Sequence, residues 1–162
     1  MRQIELTQGK VAWVDNEDFE WLNQLKWYAH KHGNTFYAIR GILINGKYKV
    51  QRMHKFIMGD NLGKSDIDHK DGDGLNNQKV NLRICTHQEN MMNRRPNKNC
   101  SSIYKGVCWH KQTQKWVAKI WIDGKQIHLG YFIIEEDASR AYDKKSTELF
   151  GEFARLNFPK HV

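Results

Sequence analysis

The stretch Ile67-Asp68-His69-Lys70-Asp71-Gly72-Asp73 sets a carboxylate directly beside an imidazole. A carboxylate can hold a divalent metal, and an imidazole can take a proton from water near neutral pH. Together these are the minimum kit for metal-assisted hydrolysis of a phosphodiester. Taken alone, an Asp-His pair also reads as two solvated surface residues, so its surroundings decide. His54 precedes it in Arg52-Met53-His54-Lys55. Asn81 follows in Val80-Asn81-Leu82-Arg83, and Asn90 in Thr86-His87-Gln88-Glu89-Asn90. Asp71 and Asp73 invite a calcium-loop reading. It fails, because Leu75 holds the next ligand position and no glutamate closes the loop. As turn formers Asp71, Asp73, Asn76 and Asn77 all fit.

Positioning these groups needs a hairpin and two helices. His54 to Met58 opens a short helix. Ile67 to Lys70 and Leu82 to Thr86 form two strands around a long loop, with Gly72 and Gly74 forcing a turn. From Gln88 onward the chain is helical, with Asn90 in the first turn facing back toward the hairpin, and Pro96 ends that helix. Neighbours on a regular strand point to opposite faces. Asp68 and His69 therefore reach one phosphate only if the strand ends or bends there.

The combined pattern Asp68-His69, Asn81-Leu82-Arg83 and Asn90, over about residues 52–95, resembles the HNH endonuclease family. The resemblance is to the subgroup of phage and intron-borne homing endonucleases. It implies a ββα-metal core in which hairpin and helix pinch one divalent ion, magnesium or manganese, against the scissile phosphate. It further implies that Asp68 and Asn90 are metal ligands and that His69 is the general base. Asn81 would tie the loop and orient His69. His54 and Arg83 would contact a phosphate or simply pack.

Residues 1–50 read as a small mixed module: a strand about Val11 to Trp13, a helix from Asp18 to Leu25 capped by Asp15, and strands at Trp27 to His30 and Thr35 to Leu43. The last returns through a hairpin at Asn45-Gly46. Its aromatics read as core. Leu6-Thr7-Gln8-Gly9-Lys10 and Val14-Asp15 resemble the N-terminal segment common in phage HNH proteins. Residues 51–95 are the nuclease stretch and residues 96–101 a basic linker. Residues 102–159 read as three strands (Tyr104 to Val107, Lys115 to Ile122, Gln126 to Phe132) packed on one helix, Glu135 to Phe150. The whole is α+β: an HNH core, a small N-terminal mixed module and a C-terminal three-stranded antiparallel sheet on a helix.

That last module resembles the APETALA/ethylene-response-factor (AP2/ERF) DNA-binding domain. Tyr104-Lys105-Gly106-Val107, Trp116-Val117-Ala118, Leu129-Gly130-Tyr131-Phe132, Ala141-Tyr142-Asp143 and Leu156-Asn157-Phe158-Pro159 carry the likeness. Cys108, Lys119, Trp121 and His128 depart from the plant pattern. The resemblance implies a sheet face that meets double-stranded DNA. Alternation puts Lys115, Val117, Lys119 and Trp121 on one side of the middle strand, and Trp116, Ala118 and Ile120 on the other.

The charge balance agrees with a polyanionic partner. The 162 residues carry a net charge of +8. No acid lies between Glu89 and Asp123. That run holds Arg94, Arg95, Lys98, Lys105, Lys111, Lys115 and Lys119 beside Trp109, Trp116 and Trp121, and reads either as a solvated surface or as a nucleic-acid contact. Arg83, Arg94, Arg95, Lys98, Lys105, Trp109, Lys115, Lys119 and Trp121 are the expected DNA contacts. Three cysteines without Cys-x-x-Cys spacing fit reduced thiols better than disulfides. A zinc site from Cys85, His87, Cys100 and Cys108 matches no usual spacing. With no signal peptide and no membrane-length apolar run, a cytoplasmic protein without an obligate protein partner is expected. A DNA-binding regulator that does not cleave is the competing reading, and an RNA-binding or nucleoid protein the third.

Overall fold

The computed structural model describes residues 1–59, 63–96 and 100–159; Lys98 of the expected linker lies outside them. The chain divides into two units, Met1–Asn90 and Met91–Val162. Each is α+β with small antiparallel sheets. The first unit takes in both the expected N-terminal module and the hairpin bearing Asp68 and His69.

In that unit β1 (Arg2–Glu5) pairs with β2 (Val11–Val14). Sequence reading missed β1, whose only apolar residue is Ile4, too little alternation to show a period. Helix α1 (Asn16–Asn23) has Asp15 at its N-cap position, but the Asp15 side chain makes no capping hydrogen bond. Its carboxylate instead accepts Lys79 N at 2.8 Å and Gln78 Nε2 at 3.2 Å. Strands β3 (Tyr28–His32), β4 (Thr35–Ile44) and β5 (Lys47–Arg52) make a meander, with Asn45 and Gly46 at positive φ in its hairpin turn. Helix α2 (Met53–Met58) follows directly. Phe19, Leu22, Trp27, Ala38 and Met53 form the core with Ile4 and Val14. The expected hairpin is β6 (Asp66–His69) and β7 (Leu82–Cys85), leading to α3 (His87–Met92). Thr86 and Glu89 start α3 as a capping box: Thr86 N donates to Glu89 Oε2 at 2.7 Å and Glu89 N to Thr86 Oγ1 at 3.2 Å. The helix stops at Met92, so Pro96 is not what ends it.

The second unit holds β8 (Val107–His110), β9 (Lys115–Ile122) and β10 (Lys125–Phe132) in the order β10-β9-β8, covered by α4 (Glu135–Phe150). Trp116 and Ala118 meet Ala138 and Ala141 of the helix. Strand β8 begins at Val107 rather than Tyr104 because Gly106 sits at φ +77°, which breaks the extended chain. A Cβ there would lie 1.9 Å from the Tyr142 ring and 2.8 Å from the Lys119 carbonyl oxygen. Asn157 latches the tail: its Oδ1 accepts Lys105 N at 2.7 Å and its Nδ2 donates to Asp143 Oδ1 at 3.0 Å.

Gly106→Ala is therefore expected to destabilise this unit by about 1–3 kcal/mol through overpacking against Tyr142. Calorimetry of the full chain should record it as a lowered or split unfolding transition.

Candidate active site

Strand β6 ends at the Asp68-His69 pair. Lys70 N donates to Asn81 O at 2.9 Å, and Gly72 N to His69 O at 2.8 Å, with Gly72 at φ +73°. Across the hairpin Asp68 faces Arg83 and His69 faces Leu82. The two side chains enter different surroundings.

The His69 ring is buried against His54, with centroids 4.8 Å apart and planes at 89°, and against Tyr37 at 5.8 Å. Its Nε2 lies 3.3 Å from Asn77 Oδ1. Asn77 is 0% exposed, and its Nδ2 donates to Leu75 O at 3.0 Å. The amide oxygen therefore faces the imidazole, and an amide oxygen can only accept. Nε2 carries the proton, which leaves the lone pair on Nδ1. Burial lowers the His69 pKa, outweighing the Asn77 hydrogen bond and the charges of Asp71, Asp68 and Asp73. The ring is thus a neutral base of fixed tautomer. Burial, then the cost of charging His54 beside His69, Arg52 and Lys55, pushes His54 down to about 2. His54 packs as a neutral ring behind His69.

Asn81 ties the loop, accepting Asp71 N at 3.1 Å on its Oδ1 and donating from Nδ2 to Asn76 O at 2.8 Å. The contact to His69 comes from Asn77, which the sequence presents as one more turn former. Nothing in its residue type separates it from Asn76; a loop longer than a tight turn is the one hint. That loop is anchored from the N-terminal elements. Asn77 N donates to Trp13 O and Trp13 N to Leu75 O, each at 2.8 Å, and Gly74 N donates to Thr35 Oγ1 at 3.0 Å. Gly74 leaves no room for a side chain, since a Cβ would fall 2.4 Å from the Phe36 carbonyl oxygen. Asp71 and Asp73 are turn formers, accepting Asp73 N and Leu75 N.

Asp68 Oδ2 accepts Arg83 Nε at 2.9 Å and a second Arg83 nitrogen at 2.6 Å, in a nearly buried pair. Arg83 is thus the partner of Asp68. Asp66 shares the Asp68 face of β6. Its Oδ2 lies 3.2 Å from His87 Nδ1 and 3.4 Å from Asn90 Nδ2. Asn90 does face back to the hairpin, and the side chain it meets is Asp66. The His87 hydrogen bond holds the Asp66 carboxyl below the usual carboxylate range, and Asn90 adds to it. Sequence reading passed over Asp66, although its two-residue spacing from Asp68 was the signal. Among the described residues, no three His, Cys, Asp or Glu side chains are grouped to hold a metal.

In the second unit, register places Lys115, Lys119 and Trp121 on the sheet face away from α4. Val117 shares that face but is buried, flanked in register by Cys108 and Tyr131. Trp109 lies opposite Trp116, ring to ring at 5.1 Å, and so stands on the helix side. A bulge between His128 and Gly130 brings His128 and Tyr131 to the open face, with ring centroids 4.7 Å apart. Lys105 turns inward. Its Nζ donates to Met92 O, and burial, then Arg155 and Arg94, pull its pKa down to about 8. Arg94 and Arg95 are exposed. Cys85 is buried, Cys100 exposed and Cys108 half-buried, all as free thiols.

A tautomer-fixed neutral base beside a carboxylate, on a hairpin followed by a helix, in a basic chain, is the equipment of a phosphodiester hydrolase. Comparison with known proteins gives that class its family. Residues 61–92 match the HNH endonuclease family. Over 152 residues the chain is 32% identical to an uncharacterized HNH endonuclease of Acanthamoeba polyphaga mimivirus, covering 93% of this chain and 76% of that protein. The chain belongs to the HNH endonuclease family, and it is a nuclease of DNA. It is also 35% identical over 90 residues to Protein 3.8 of Escherichia phage T7, covering 56% of this chain and 74% of that protein. A 65-residue stretch is 40% identical to an AP2-like ethylene-responsive transcription factor of Arabidopsis thaliana, covering 40% of this chain and 13% of the plant protein. Among the described residues no helix is long and apolar enough to cross a membrane.

His54 supplies a test of the buried histidine pair. The folded chain withholds a proton from His54 down to about pH 2, whereas the unfolded chain accepts one from its ordinary value of 6.5. The unfolded state thus binds more protons in that window, and stability falls as pH drops below 6.5, by up to about 1.4 kcal/mol per pH unit from this group. In His54→Phe, denaturant midpoints measured from neutral to acid pH should fall less steeply than in wild type.

Proposed function

We propose that the protein is a metal-dependent, site-specific DNA endonuclease of homing type, with β6, β7 and α3 as its ββα-metal unit. The observation that carries this reading is the seat of His69, where Asn77 holds Nε2–H and leaves Nδ1 basic. His69 takes the proton of the attacking water at Nδ1. Tyr37 and His54 wall the ring from solvent, and Asn81 keeps the loop closed behind it.

The donor chemistry fits a hard divalent cation. Asp68 and Asn90 would hold it through oxygen, with Asp66 on the same strand face. Magnesium is commonly held by one or two carboxylates together with substrate phosphates, so a full protein cage is not needed. When bound, magnesium or manganese supplies Lewis-acid charge to the phosphate and the leaving oxygen. Arg83 orients the Asp68 carboxylate.

Residues 102–159 act as an AP2/ERF-like module on double-stranded DNA. Lys115, Lys119 and Trp121 share a sheet face suited to the major groove, and Arg94 and Arg95 lie along the phosphate backbone. The partial likeness to the plant transcription factor supports this role. The departures at Cys108, Lys119, Trp121 and His128 mean that its base preference is its own. One active site per chain gives nicking by a monomer.

Incubation with supercoiled plasmid tests the reading. Open circles should form with magnesium and not with chelator. His69→Ala should lose about a hundred- to ten-thousand-fold in rate while retaining duplex binding, and Asp68→Ala should not nick. Absence of nicking by wild type under every divalent metal would leave a DNA-binding protein that does not cleave.

A further inference from the structure

Asp66 joins the hairpin to α3 beside the expected cation ligands. It stands two residues before Asp68 on the same face of β6, about 7 Å along the strand. Its Oδ2 meets two residues of α3 that lie one turn apart: His87 Nδ1 at 3.2 Å and Asn90 Nδ2 at 3.4 Å. Residues three apart share a helix face, so both contacts come from one side of α3. Asp66 is 33% exposed and Asn90 half-buried, which leaves them within reach of a hydrated ion.

The two ends of an asparagine amide have nearly the same shape and opposite polarity. A hard cation takes the oxygen end and is repelled by the NH2 end. An ionised carboxylate makes the opposite choice, because it can only accept a hydrogen bond. Beside Asp66, therefore, the Asn90 amide is sorted: Nδ2 goes to the carboxylate and Oδ1 is turned from it. Asp66 is in turn steadied by His87, whose Nδ1 must carry the hydrogen of their contact.

We propose that Asp66 is a positioning residue for the metal site: by accepting the Asn90 amide nitrogen it fixes Oδ1 as the cation-binding end, without itself binding the cation. This rests on the reading that Asp68 and Asn90 hold a divalent ion. Two observations separate Asp66 from the ligands. Its Oδ2 is committed to two donors of α3. Among the described residues, Asp66, Asp68 and His87 are not grouped as a metal-binding set. Arg83 stands to Asp68 as Asp66 stands to Asn90, engaging Asp68 Oδ2 through two nitrogens. Each expected ligand thus has a polar partner that fixes its direction, and such partners tune metal affinity.

The test measures manganese binding by the full chain without DNA, from water-proton relaxation in 1 M salt. The Debye length there is about 3 Å, so the through-space pull of the Asp66 charge is screened. Asp66→Asn is nearly isosteric but offers Asn90 a donor as readily as an acceptor, and should weaken manganese binding about ten- to a hundredfold. In plasmid nicking, the same variant should need more metal for half-maximal rate and recover most of its rate at saturating metal. Asp66→Glu keeps an acceptor-only carboxylate and should stay closer to wild type than Asp66→Asn; the reverse order overturns the inference. Equal manganese affinity of wild type and Asp66→Asn also overturns it, as does a manganese-bound crystal structure with an Asp66 oxygen bonded to the ion. Absence of manganese binding by wild type overturns the metal reading itself, and the inference with it.

Discussion

The hydrogen bond between His69 and Asn77 is the constraint to which most of the first unit answers. A buried imidazole is useful as a base only if one nitrogen is pinned and the ring cannot turn. The Asn77 amide does the pinning, and its own orientation is set by Leu75 O. Asn77 sits in a loop, and loops move unless their backbone groups are engaged. Here Trp13, Asp15 and Thr35 engage them from outside the hairpin, while Asp71 and Asn81 engage them from within. The N-terminal strands therefore hold in place the loop that seats the His69 ring.

Electrostatics separates the two members of the Asp-His pair. The imidazole is placed among rings, where burial keeps it neutral. The neighbouring carboxylate is placed opposite Arg83, because residues facing one another across an antiparallel pair share a side. Strand alternation thus sends one residue into an aromatic pocket and the next onto a polar face. The same alternation aligns Asp66 with Asp68 and so gathers His87 and Asn90 of α3 toward the hairpin. A nearly buried ion pair is a doubtful source of stability, but it fixes where the carboxylate points.

The second unit solves a different problem, that of exposing one face of a thin sheet. Small residues on α4 let the helix lie close to β9, and Gly106 lets the chain turn under Tyr142. Asn157 and Asp143 close the far end by pairing with backbone on both sides. With one face sealed in this way, the other leaves Lys115 and Trp121 exposed on either side of the buried Val117. The bulge at Gly130 adds His128 and Tyr131 to that face.

Much of this was legible in the sequence. The Asp68-His69 pair, the hairpin around it, Asn90 in the first turn of α3, and the span of α4 follow from local signals: turn residues, caps and short-range periodicity. What stayed hidden depends on partners far along the chain. Asn77 differs from Asn76 only because Trp13 seizes its backbone and His69 stands above its amide. Asp15 looks like a helix cap until Lys79 is brought beside it. Lys105 looks like a phosphate contact until folding turns it toward Met92. The sequence by itself determined which groups could do chemistry and which segments would be strand or helix, since those follow from residue type and spacing within a few turns. Only the tertiary structure decided which asparagine meets His69 and which cations are drawn inward, because such choices are made by contacts outside the local element, from 8 positions away for Asn77 and His69 to 13 for Lys105 and Met92.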